Sequence, residues 1–195
     1  MLVVLLTLCF WQREGGPNDG LSVWFGMAVE SALFGLALFG LSQCMGPLLE
    51  QLAQSWHQVE EQSGWIIFCQ QRSFPGQNLS PPDPAIARIL GFVGACIYEE
   101  TLFRLLGYCG FVYIFFLADF PAFLSLVLAM LASSLLFAAA HHLGPQGEVF
   151  HTKVFIFRSV AGLFFAAIFQ CRGFGVALGA HTCYDVLIGL MTRMR

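Results

Sequence analysis

Glu99, Glu100 and Arg104 stand inside a stretch that is otherwise apolar from Ile89 to Leu117. A charge near the middle of a lipid-spanning helix costs at least ~2.5–3.5 kcal/mol on insertion scales, so such residues are read first as functional. Glu100 and Arg104 are spaced i,i+4, on one helical face, where they neutralise each other. Glu99 lies about 100° around the helix from Glu100, off the face on which that pair forms. Two later apolar runs carry further ionisable groups. Ser134 to His142 ends in His141 and His142, and Gly179 to Leu187 contains His181 and Asp185, again i,i+4. A carboxylate, two histidines and an aspartate around a water-filled cavity suit hydrolysis. A desolvated Glu99 could act as general base toward water, and the histidines could polarise that water or hold a developing oxyanion.

These groups can meet only if their helices do. The 195 residues are 57% hydrophobic and 11% charged, with a mean hydropathy of +0.73. A soluble domain carries roughly 25% charged residues, and one this short still exposes about 30% of its surface. The chain is therefore expected to be an integral, multi-pass membrane protein. Five runs are long enough to cross a bilayer: Leu21 to Leu49, interrupted by Glu30; Ala85 to Leu117, entered through Ser80–Pro84; Pro121 to His142; Thr152 to Gln170; and Phe174 to Met191. The runs are continuous and do not alternate, which favours helices over a barrel. The expected fold is an all-α, polytopic transmembrane bundle enclosing an intramembrane polar cavity. Residues 1–84 would supply one membrane helix and a polar interfacial region, and residues 85–195 the catalytic core of a single membrane domain.

Met1 to Trp11 is apolar but too short to span; it reads as the tail of a longer helix or as an interfacial segment. Glu50 to Asp83 is polar, with a candidate surface helix over Gln51–Glu61 and interfacial Trp56 and Trp65. The Lys/Arg distribution favours a cytoplasmic C-terminus at Arg193 and Arg195, with Arg72, Arg88, Lys153 and Arg158 on or near that side and Arg13 and Arg172 outside. A net charge of −3 without a basic cluster excludes nucleic acid as the expected partner. The seven cysteines show no C-x-x-C pair and read as small apolar residues. His57 and His151 read as solvated, His142 and Glu30 as interfacial, and Gly175 with Gly179 as a close helix contact.

Taken in order, Glu99-Glu100-x-x-x-Arg104, Phe137-x-x-x-His141 and His181-x-x-x-Asp185 resemble the motifs of the CPBP (CAAX protease and bacteriocin-processing) family, whose best-known type is the CAAX prenyl endopeptidase, the Ras-converting enzyme. The resemblance covers roughly residues 85–191. It implies an intramembrane endopeptidase acting on a membrane-associated peptide or protein, the prenylated CAAX type being one class of these. Glu99 with His141 would activate water, His181 would help form the oxyanion site, and Glu100 with Arg104 would be a structural ion pair. The family commonly has Asn at the last motif position, where this chain has Asp185. An ionised aspartate would repel an oxyanion, so Asp185 must be protonated or must instead orient His181. No metal is required on this reading. Zinc is the variant, with Glu99, His141, His181 and Asp185 as ligands. Two other classes stay open, a non-catalytic scaffold or immunity protein and a proton- or ion-coupled carrier.

Overall fold

The computed structural model describes residues 20–55, 84–143 and 147–191. The expectations for Met1–Trp11, for the stretch from Trp56 to Asp83 with His57 and Trp65, and for Arg193 and Arg195 fall outside them. Five helices are long and apolar enough to cross a membrane, and no strand occurs among the described residues. Helix α1 is Gly20–Ser55. The second span is composite: α2, Pro84–Glu100; a π-helical segment, Thr101–Tyr108; and α3, Cys109–Leu117. Then follow α4, Ala122–Ala140, α5, Thr152–Arg172, and α6, Phe174–Met191. Lipid offers the backbone no hydrogen-bond partner, so apolar runs of this length satisfy their N–H and C=O groups within the helix.

Short punctuation fixes the reversals. Pro121 caps α4 in an extended conformation, where its missing N–H costs nothing. Gly173 alone joins α5 to α6 at φ +86°, a left-handed conformation that glycine adopts without strain. Expected and observed spans agree to within a few residues except inside the second. There the continuous α-helix expected from the sequence widens to i→i+5 bonding directly after Glu100. Such π-turns tend to occur at functional positions.

α1 packs chiefly on α6, α4 on α5, and α2 on α6, around a core that includes Leu38, Tyr108, Phe165, Val176 and Ala180. Without a hydrophobic driving force between helices, close approach depends on small residues. A Cβ at Gly162 would sit 3.1 Å from Ser134 Cα on α4, and one at Gly179 would sit 2.7 Å from Ser31 Cβ on α1. Gly175 faces Met27 in the same α1–α6 seam, as the glycine spacing suggested. Glu30 pairs with Arg172 across α1 and α5, both partly exposed. The ends of the bundle that the sequence assigned to one membrane face are thus joined.

Candidate active site

The chemistry-bearing residues of α2, α4 and α6 come together, and they form two shells that differ in exposure. Glu100, Arg104 and His181 are buried, at 0%, 1% and 3% exposure. Glu99, His141 and Asp185 retain 14%, 12% and 12% and face the more open side. The carboxylates of Glu99 and Glu100 are consecutive on α2, so the helical twist sends one to each shell.

Glu100 does more than the sequence indicated. Its Oε2 lies 3.3 Å from Arg104 Nε, the expected i,i+4 pair. Its Oε1 accepts a hydrogen bond from His181 Nδ1 at 2.9 Å. Arg104 Nη2 donates to the Gly162 carbonyl at 3.3 Å, and its guanidinium lies over the Phe137 ring, 4.5 Å from the centroid. The buried ion pair therefore spans α2, α4, α5 and α6.

Both histidines are fixed through Nδ1. His141 Nδ1–H donates to the Phe137 carbonyl at 2.7 Å, and His181 Nδ1–H donates to a carboxylate. An acceptor on Nδ1 sets the tautomer and turns Nε2 toward the site. Phe165 stacks on the His181 ring with centroids 4.4 Å apart, and Phe137 meets the His141 ring edge-on at 4.7 Å. His141 Nε2 then lies 3.7 Å from Glu99 Oε1, and His181 Nε2 lies 3.7 Å from Glu99 Oε2. These separations are too long for direct hydrogen bonds, and they turn both Nε2 atoms toward one carboxylate.

Asp185 Oδ2 lies 3.9 Å from His181 Nε2 and accepts the Cys96 thiol at 3.4 Å. Glu100, not Asp185, is the carboxylate on His181 Nδ1. Cys96 is buried, as expected, but its thiol also donates to Asp185 at the edge of the site. Cys44 and Cys171, by contrast, are exposed. The signal for Cys96 was available, because it is three residues before Glu99 and so one turn away on a neighbouring face. Phe165 carried no such signal. Cys96, His181 and Asp185 each bring one possible ligand atom within 4.8 Å of the others. Glu99 and His141, expected as zinc ligands, do not belong to that trio.

The residues read as bland also have places. His142 Nδ1 contacts the Glu148 carbonyl at 3.1 Å and its ring lies against Phe150, at the end of α4. His151 is exposed and caps α5. Glu148 closes the α4–α5 connection: its N–H donates to the His141 carbonyl at 3.0 Å, and Arg158 Nη2 donates to its Oε1 at 3.0 Å. An apolar groove of about 380 Å³, lined by Gly94, Ile97, Tyr98, Thr101, Leu102 and Leu106, runs along the outside of α2 and the π-segment. It is not the expected polar cavity, since none of the carboxylates or histidines line it.

Residues 81–187 match the sequence profile of a family described as type II CAAX prenyl endopeptidase Rce1-like. Neither the curated proteins nor the solved structures yield a match.

Proposed function

The chain belongs to the Rce1-like family of type II CAAX prenyl endopeptidases, and on that premise we propose that it cleaves a peptide bond in a membrane-associated substrate with a water activated by Glu99. The observation that carries this reading is the pair of 3.7 Å gaps between the two oxygens of Glu99 and Nε2 of His141 and His181. A water that enters the first gap, widening it toward the ~4.5 Å spanned by two hydrogen bonds to one water, would donate one hydrogen to Glu99 and the other to His141 Nε2. Its lone pair would then be free to attack a carbonyl carbon. As the C–O bond forms, Glu99 takes the water proton. As the C–N bond breaks, that proton passes to the leaving amine.

The developing oxyanion would lie on the His181 side. To donate from Nε2, His181 must carry a proton on both nitrogens, and Glu100, bonded to Nδ1, lies against it to balance that charge. Glu100 and Arg104 keep the imidazole in place. Asp185 lies near the same Nε2 that would meet the oxyanion, so it is not the group that orients the ring. No step requires a metal.

The family description names prenylated CAAX peptides, and the apolar groove one residue from Glu99 offers a surface for a lipid substituent. The test is cleavage of a prenylated CAAX peptide, with its unprenylated twin beside it, by purified and reconstituted protein. Glu99→Gln should reduce kcat by about 10²–10⁴-fold, the scale of general-base catalysis. Full activity in that variant would sink the reading.

A further inference from the structure

Cys96 on α2 and His181 and Asp185 on α6 direct a thiol sulfur, an imidazole nitrogen and a carboxylate oxygen into one space. We propose that these three residues form a reversible binding site for a thiophilic divalent cation of the zinc class, and that its occupancy closes the hydrolytic site.

The donor set carries the argument. Cysteine, histidine and carboxylate are the ligands zinc takes, and they exclude the hard cations that prefer oxygen alone. Cys96 is wholly buried and His181 is 3% exposed. Cys96 Sγ lies 3.4 Å from Asp185 Oδ2, and His181 Nε2 lies 3.9 Å from the same oxygen. In a tetrahedral zinc centre with bonds of ~2.0–2.3 Å, neighbouring ligand atoms stand about 3.3–3.8 Å apart. Two edges of the triangle are therefore close to that spacing, and the third, within 4.8 Å, needs a modest contraction. The fourth position falls to water or to Glu99, whose Oε2 is 3.7 Å from the same Nε2.

The surroundings support it independently. His181 Nδ1–H donates to Glu100 at 2.9 Å, the carboxylate–histidine–metal arrangement that fixes the tautomer and makes Nε2 a better ligand. An amide at position 185, which the family pattern leads one to expect, would be a weak zinc ligand. Asp185 supplies the anionic oxygen instead. Binding would release the thiol proton of Cys96 and any proton on His181 Nε2, with no change of oxidation state. It would remove Nε2 from the reaction and draw Glu99 toward the metal. The inhibitory consequence rests on the peptidase reading above; the binding rests on the geometry of the three donors.

The test uses chelator-stripped full-length protein in detergent, titrated with Co²⁺ as a spectroscopic substitute for zinc. One equivalent should bind with tetrahedral d–d bands and a thiolate-to-cobalt charge-transfer band in the near ultraviolet, and Zn²⁺ should displace it. Asp185→Asn should weaken binding at least tenfold, and Cys96→Ser should in addition remove the charge-transfer band. Absence of that band in the wild type, or its persistence in Cys96→Ser, overturns the site. If Cys96→Ser does not fold, Asp185→Asn decides the point, and an unchanged cobalt affinity in that variant counts against the site. Inhibition of peptide cleavage should follow the same Zn²⁺ midpoint as binding; binding without inhibition overturns the inhibitory half. Protein that binds cobalt as described but never cleaves peptide would refute the peptidase reading and leave the site standing.

Discussion

Glu99 and Glu100 are neighbours with different work, and the difference comes from where the helical twist points them. Glu100 holds Arg104 and His181 together where all three side chains are buried. Removing one partner of a buried ion pair leaves the other charge uncompensated, which costs about 3–5 kcal/mol. Glu100→Gln should therefore lower stability by that amount, read as a fall in the thermal unfolding midpoint in detergent. Glu99→Gln, on the open side, should leave the midpoint nearly unchanged while abolishing turnover. Equal destabilisation by the two would contradict this division. Both the i,i+4 pair and the odd carboxylate were legible in the sequence, because helical spacing is local. The bond from Glu100 to His181 was not, since it depends on how two helices 81 residues apart rotate against each other.

At the scale of elements, each functional group has a packing contact that aims it. α4 ends at His141, and the connection beyond it is tied back by Glu148, whose backbone N–H and C=O meet the His141 carbonyl and His142 Nδ1 and whose carboxylate accepts from Arg158. This clasp sets the direction in which α4 delivers His141 to Glu99. Glu148→Gln and Arg158→Met should each lower kcat roughly 10–100-fold, as sub-ångström misplacement of a reacting group does, with little change in KM. The double variant should be no worse than the poorer single one, which a double-mutant cycle would measure as coupling. Additive losses would mean that the two residues act separately. The spans themselves were legible, because continuous apolar runs of about 20 residues have few other uses. The π-segment was not: a change from i→i+4 to i→i+5 bonding leaves no mark in hydropathy and shows only once Arg104 is seen packed between Phe137 and Phe165.

For the whole molecule, the family match begins at residue 81, yet α1 lies within the bundle. It buries Leu38 completely, packs Ser31 into the α6 seam and pairs Glu30 with Arg172. That ion pair puts the start of α1 and the α5–α6 turn at the same membrane face. With the C-terminus cytoplasmic, as the basic residues favour, this face is external. A membrane-impermeant maleimide should then label Cys171, exposed beside Arg172, from outside intact cells, while a C-terminal tag stays protected. The reverse pattern would invert the topology. The order of the helices also has a consequence for biogenesis. α2 leaves the ribosome well before α6, so Glu100 and Arg104 enter the bilayer while His181 is still unmade. Because the two are neighbours in sequence, they can neutralise each other during that interval. The newborn chain can thus wait in the membrane with this ion pair already formed until α6 arrives.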